Sequence, residues 1–431
     1  MKKIVIHHLV EKSREGSYYS LPFSVPAGVC SVTVAYRYPK ESMDNAAPEN
    51  IIDLGLEDEQ GQFLGWSGSS RSSVTVGEYD STPGYLMTPI HPGTWHILIG
   101  AYHVRRQGVP VTYEITFREN RPRWLFGDLH VHSDASDGQY DIPTLARQAK
   151  KLGLDFLAVT NHNNYAENFS LPRLPGLTLI PGVEWTHYRG HMNFLGIDKP
   201  FPGSFIANDS EQMRRITGQA RESGALVCVN HPKCNLCPYL WEDEDSFQLV
   251  EIWNGPMRKV NLDGIRWWTE LLRQGRQLPA VGGSDFHRSH RIVRLGNPVT
   301  AVYADSPSPK DILSAVAQGR SYVTGKVNGV RLGMSCRGET FGAVLEDASG
   351  CVLTVSAERM PAGSVLQIIG GSGVLAQFPS KKGVVRQNLE IEGTPFVYLL
   401  ALYPLGKKGG YPLAVSNPIY FVKKGASNGN R

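Results

Sequence analysis

No apolar stretch of this 431-residue chain approaches the roughly 20 residues a helix needs to span a bilayer. No helical membrane span is therefore expected, and no membrane partner. No block of lysine and arginine stands out, and the formal net charge is only +4. Charge thus makes no case for a nucleic-acid partner. Cysteine is sparse, at six residues: Cys30, Cys228, Cys234, Cys237, Cys336 and Cys351. The opening Met1-Lys2-Lys3, with His7 and His8 soon after, is a poor secretion signal. Together these features predict reduced thiols in a cytoplasmic protein. A lone Cys234-x-x-Cys237 with no second pair is a weak metal signal and reads as a loop. No internal repeat is evident.

Hydrophobic residues make up 41% of the chain and charged residues 19%, a globular balance, in a chain long enough for two or three domains. Over residues 1–122, apolar residues alternate in short runs: Val29 to Tyr36, Tyr85 to Met87, Trp95 to Ala101 and Val111 to Phe117. Turn residues separate them, so an antiparallel β-sandwich is predicted. Trp66, Tyr79, Trp95 and Tyr102 read as core or edge aromatics of that sandwich. Over 123–328 strands alternate with helical patterns. Asp141, Asp209 and Ser308 stand where N-caps belong, and Gly153, Gly224 and Gly319 where helices stop. Alternating strands and helices imply an α/β domain with a mostly parallel sheet, open or barrel-like. Over 329–424 the β texture returns and predicts a second sandwich. The polar tail 425–431 is expected to be disordered.

Eight of the thirteen histidines lie between His130 and His290. His130 and His132 alternate around Val131, so on a strand both imidazoles face one way. His162, Glu184, His231, Asp285 and His287 each follow or end an apolar run, His191 opens one, and Asp137 lies in the loop after His132. If the strands are parallel, all nine groups converge on the carboxyl rim of one sheet, where α/β folds place active sites. One ion does not need six imidazoles and three carboxylates. Two or three divalent ions are expected, and ligands without thiolate suit zinc, manganese or iron. Such ions acidify bound water and clamp the oxygens of a phosphoryl displacement, so hydrolysis follows more readily than redox chemistry.

His130-x-His132 with Ser133 and Asp137, Thr160-Asn161-His162, Gly182-Val183-Glu184, Gly190-His191 with Leu195-Gly196, Asn230-His231-Pro232 and Gly283-Ser284-Asp285-Phe286-His287 together resemble the PHP (polymerase and histidinol phosphatase) domain. With the flanking sandwiches, the chain looks most like the CehA/McbA-like metallohydrolases, which include carbamate hydrolases. The resemblance implies a distorted, TIM-like (β/α)7 barrel. It also implies a first ion on His130, His132, Glu184 and Asp285, a second on Glu184, His191 and His231, and a third on Asp137, His162 and His287. Asn161 departs from the Asp that many members carry before the His; the ligand His162 is retained.

The expected activity is a metal-dependent phosphoesterase that uses a metal-bridging hydroxide on a small phosphate ester. Asp285, His287, Glu184 and Arg288 are its catalytic candidates. Arg288, Arg291, Arg294 and Lys233 are candidates for holding phosphate. His187 and His290 are spare imidazoles, and Glu251 and Asn254 are candidates for supporting the ligands. Hydrolysis of a carbamate or carboxylic ester by the same centre is an alternative, and a metal-stabilised binding protein is another.

Overall fold

A computed structural model describes residues 2–40, 50–200, 203–404 and 410–422. The predicted tail 425–431 lies outside the described residues. The chain divides into two compact units, Met1–Arg121 with Arg173–Gly176, and Pro122–Pro172 with Leu177–Arg431. Among the described residues no helix is long and apolar enough to cross a membrane.

The first unit holds two antiparallel four-stranded sheets. One is ordered Lys2–Val10, Val109–Glu119, Val29–Arg37, Ser73–Gly77; the other Ser17–Val25, Gly93–His103, Ile51–Glu57, Phe63–Trp66. The alternation that predicted strands also chooses their buried face. Val111, Tyr113, Ile115 and Phe117 are buried, while the residues between them are half-buried. Trp95 is fully buried and Tyr102 is exposed. The run Tyr85 to Met87 is not a strand: Pro83 and Gly84 precede it, and Tyr85 makes only an isolated bridge with Gly65.

The second unit is mixed α/β and mostly sheet. Its long sheet runs in the order Ala280–Gly283, Leu249–Asn254, Leu226–Val229, Gly190–Leu195, Thr178–His187, Phe156–Val159, Arg123–Val131, Val299–Ala304, Ser321–Thr324. It continues through Gly410–Ser416, Phe396–Pro404 and Val365–Gly370, so strands beyond 329 extend the sheet that carries the site. Six strands point the same way: the pairs on either side of Phe156–Val159 and of Leu249–Asn254 are parallel. Gly190–Leu195 runs antiparallel to both its neighbours, and Val299–Ala304 antiparallel to Arg123–Val131. Beyond Gly283 the chain returns to the first of these strands. Val131 bridges Phe286, and the Asp285 amide donates to the His130 carbonyl at 2.9 Å.

Four α-helices, Ile142–Leu152, Ser210–Glu222, Lys259–Arg273 and Pro309–Ala317, stand among the described residues, close to the predicted positions. Asp141 accepts from the Thr144 amide, Asp209 from that of Gln212 and Ser308 from that of Asp311, so each predicted cap satisfies an otherwise unpaired N–H. Gly153, at φ 79°, ends the first helix in the left-handed region. Ile312, Leu313 and Val316 pack with Leu125, Leu129, Phe156 and Ile180 beneath the site strands. Burying a side chain such as Phe156 is worth about 1.5–3 kcal/mol.

The expectation of six reduced thiols needs correction. Cys336 and Cys351 form a disulfide, and the other four cysteines are free. The antiparallel pairing of Arg331–Cys336 with Cys351–Glu358 sets the end of one strand beside the start of the other. Cysteine number therefore does not assign this chain a reducing compartment.

Candidate metal centre

Parallel strands place the predicted ligands on one rim for a simple reason. His130 and His132 leave the end of Arg123–Val131, His162 follows Phe156–Val159, Glu184 lies on Thr178–His187, and His231 follows Leu226–Val229. His191 opens Gly190–Leu195, and because that strand runs the other way its beginning lies at the same rim.

Glu184 is the hub, fully buried among five imidazoles. Its Oε1 lies 3.3 Å from His130 Nε2, 3.1 Å from His191 Nδ1 and 3.4 Å from His231 Nε2. Its Oε2 lies 2.8 Å from His162 Nδ1 and 3.5 Å from His132 Nε2. Asp285 Oδ1 faces His132 Nε2 at 3.1 Å and His130 Nε2 at 3.5 Å. Asp137 Oδ1 faces His287 Nε2 at 3.2 Å and His162 Nε2 at 3.6 Å. All nine predicted ligands are thus brought together.

Further residues hold them in place. Glu251 Oε1 lies 3.0 Å from His130 Nδ1, and its Oε2 accepts from the His231 amide at 3.0 Å. Asn254 Nδ2 donates to Glu251 Oε2 at 3.1 Å and to Asp285 Oδ2 at 3.3 Å. A carboxylate behind an imidazole fixes its orientation and raises its basicity. Asn161 accepts from the Ser133 amide at 2.8 Å and donates to Glu167 at 2.9 Å, so the amide that replaces the usual acid is fully engaged. Two of the predicted ligands sit in left-handed backbone, His231 at φ 29° and Asp285 at φ 51°. Such strain persists where the surroundings enforce it, and it gathers at functional sites. Gly283 is required by close approach: a Cβ there would overlap that of His130.

The electrostatics follow from burial opposed by charge. Burial disfavours the Glu184 carboxylate, but the charge of His130 and the close approach of His130, His162 and His191 hold its pKa well below the usual range. Burial likewise opposes a charge on His130, yet Glu251, Asp285 and Glu184 raise it well above an ordinary histidine. His231, similarly buried, is raised to about 9 by Glu184, Asp285 and Glu251. His132 goes the other way, to about 4, because its desolvation outweighs its carboxylate neighbours.

The donor set fits divalent metal. His130 Nε2, both ring nitrogens of His132 and Glu184 Oε2 are buried without a hydrogen-bond partner. Leaving four such atoms unmet costs about 1–3 kcal/mol each, and cations would meet them. Donor atoms lie within 4.8 Å of one another in four groups: His132, Asp137, His162 and His287; His191, His231 and Cys237; His130, His231 and Asp285; His130, His132 and Glu184.

The other candidates are placed differently. Arg288, Arg291 and Arg294 are exposed on the loop after His287. The Lys233 ammonium lies 4.9 Å from the Trp267 ring centroid. His187 hydrogen-bonds the Ala207 carbonyl at 2.9 Å and stacks on Trp185, and His290 is exposed. Sequence reasoning missed Thr186, whose Oγ1 lies 2.6 Å from His162 Nδ1, and Asn230, which donates to Glu184 Oε1 at 2.8 Å. It also discounted Cys237. The signal available was that Thr186 and Asn230 each adjoin or nearly adjoin a ligand in sequence, and that the Cys pair closely follows His231.

A rim of imidazoles around a shared buried carboxylate is a donor set that could hold metal. Residues 128–214, which include His130, His132, Asp137, His162, Glu184 and His191, match the PHP domain. A 5′-3′ exoribonuclease Rnm of Salmonella typhimurium is 35% identical over 127 residues, 27% of this chain and 40% of the relative. That of Escherichia coli is 35% identical over 97 residues, 20% of this chain and 33% of the relative. The chain therefore spans well under half the length of these relatives. A solved two-domain protein from Bacteroides vulgatus, containing a predicted PHP-like metal-dependent phosphoesterase, is 19% identical. The match covers 68% of this chain and 95% of that one, at a TM-score of 0.40.

Proposed function

We propose that the chain is a metal-dependent hydrolase of phosphate esters, its centre held by His130, His132, Asp137, His162, Glu184, His191, His231, Asp285 and His287. The observation that carries this is the ring of imidazoles on Glu184 with four buried polar atoms unpaired. Two or three ions of zinc, manganese or iron bound there would acidify water and neutralise charge on the phosphoryl oxygens. The residues do the rest: Glu184 and Asp285 supply the negative charge that holds the cations, Glu251 keeps His130 oriented, and burial of Glu184, His130 and His132 strengthens the charge interactions among them. The same strands and motifs are the basis for reading a distorted (β/α)7 barrel and a CehA/McbA-like relation.

Phosphate is favoured by cations beside the centre. A cavity of about 360 Å³ is lined by His231, Asn254, Arg258 and Lys259 among others, and Arg288 adjoins His287. Both curated relatives are named as exoribonucleases, which stands against the expectation of no nucleic-acid partner. A nucleic-acid phosphodiester therefore belongs beside small phosphate esters in the substrate panel.

Metal content is the first test. Protein prepared without chelator is expected to carry two or three ions per chain by elemental analysis, and to hydrolyse a phosphate monoester or a short RNA. Less than one ion per chain, unchanged after incubation with manganese, iron or zinc, would sink the proposal. A second test concerns phosphate recognition. A phosphoryl group keeps its negative charge throughout the reaction, so an arginine that closes on it gains a charge-assisted hydrogen bond. Arg258→Ala or Arg288→Ala is expected to lose about tenfold or more in kcat/KM on a phosphate ester, with a neutral aryl ester nearly unchanged. If neither arginine matters to either substrate, carbamate or carboxylic ester hydrolysis becomes the better reading.

A further inference from the structure

We propose that Cys237 is a metal ligand, its sulfur joining His191 and His231 to make one position of the centre a mixed imidazole–thiolate site. This rests on the metal-centre reading above and goes beyond the nitrogen and oxygen ligands assigned there.

Three observations carry it. A donor atom of Cys237 lies within 4.8 Å of donor atoms of both His191 and His231, a spacing that one cation can bridge. Cys237 Sγ is 3.6 Å from His231 Nδ1, while the Nε2 of that ring faces the hub carboxylate. The backbone also holds this arrangement. His231 is in left-handed conformation, its carbonyl accepts from the Cys234 amide at 2.8 Å, and the Pro232 carbonyl accepts from the Tyr239 amide at 3.0 Å. The loop that carries the cysteines is thereby folded back over the histidine.

Cys234 is the competing donor. Its sulfur lies 3.2 Å from Cys237 Sγ, and Cys237 donates to it. That bond lowers the Cys234 thiol to about 5 and raises Cys237. A bound cation deprotonates a coordinating thiol outright, so the titration order without metal does not choose the ligand. Reach chooses it, because Cys237 and not Cys234 falls in the group with His191 and His231. Coordination forms one sulfur–metal bond and releases the thiol proton to solvent. Thiolate favours zinc, iron or cobalt over magnesium and manganese, whereas the position of His132, Asp137, His162 and His287 offers only nitrogen and oxygen. The two ends of one centre would thus differ in metal preference.

The test is spectroscopic and needs no substrate. Metal-free full-length protein, reduced and then freed of small thiols, is titrated with Co(II). The expected result is visible d–d absorption together with a near-ultraviolet thiolate-to-cobalt charge-transfer band. Cys234→Ser should keep the band, and Cys237→Ser should lose it while keeping the d–d absorption. A wild-type complex with d–d absorption and no charge-transfer band makes Cys237 a hydrogen-bond partner of His231 and overturns the assignment. A band that survives Cys237→Ser, or disappears with Cys234→Ser, overturns it too. No cobalt absorption of either kind overturns the metal-centre reading along with it. Should Cys237→Ser be insoluble, protection of wild-type Cys237 from iodoacetamide by Zn(II), located by peptide mass, reads the same contact. At least tenfold slower alkylation is expected, and equal rates with and without zinc overturn the proposal.

Discussion

Glu184→Gln is expected to reduce kcat/KM on any hydrolysed ester by about 10³-fold or more and to lower the ion count per chain. The change is nearly isosteric, so packing is kept and only charge is lost. Among the described residues Glu184 is the one carboxylate within 3.5 Å of five imidazoles, and its negative charge is what would let cations occupy a buried site. Glu184, with Glu251 and Asp285, is also what raises His130 and His231 above an ordinary histidine, so the variant loses charge complementarity at both rings. The measurements are steady-state kinetics and elemental analysis on the purified variant, with circular dichroism to establish that it is folded. Near-normal turnover with a full metal complement would remove Glu184 from the centre. Asp285→Ala is the companion variant, expected to abolish hydrolysis in a folded protein. Asp285 also reaches His130 and His132, and it lies in a loop outside the apolar core.

Glu251→Gln should have a smaller but distinctive effect, a loss of about 10- to 100-fold in metal affinity with turnover largely restored at saturating metal. Glu251 is predicted to touch no ion. It faces His130 Nδ1, the ring nitrogen away from Glu184, and receives the amide of His231. The substitution replaces a charged acceptor behind the ligand with a neutral one, so His130 becomes less basic and less firmly oriented. Competition with a chromophoric chelator measures the affinity, and activity against added metal separates binding from turnover. If affinity is unchanged, His130 is held by its strand alone. If activity cannot be restored by metal, Glu251 takes a more direct part than orientation.

Much of this was readable in one dimension because strand geometry is periodic. His130-Val131-His132 states its own geometry: two residues apart on a strand means one face. The strands that end at Val159, Val229 and Gly283 announce their ends by the change from apolar to polar residues, and with parallel strands those ends share a rim. Helix caps were equally local, since Asp141, Asp209 and Ser308 each act within three residues of themselves. The PHP resemblance was carried by the same motifs and is matched over 128–214.

Other features depend on contacts that sequence distance hides. Glu184 could be named as a ligand, but its place at the middle of five imidazoles comes from strands separated by as many as 54 residues, the interval from His130 to Glu184. Glu251 was a candidate for supporting the ligands, but which one it backs, His130, appears only once Leu249–Asn254 lies beside Ala280–Gly283 and the sheet returns to His130. Cys336 and Cys351 looked like ordinary thiols until strand register paired them. Cys237 was set aside because thiol spacing alone is a weak signal. It matters because the loop after His231 folds back and delivers its sulfur to two histidines. Residue pattern alone proposed the metal ligands and the end of each strand they occupy, because periodicity and capping act over a few residues. Only tertiary contact sets which carboxylate those residues surround, which side chains face them and which thiol lies nearest two of the histidines, because those depend on how distant strands register against one another.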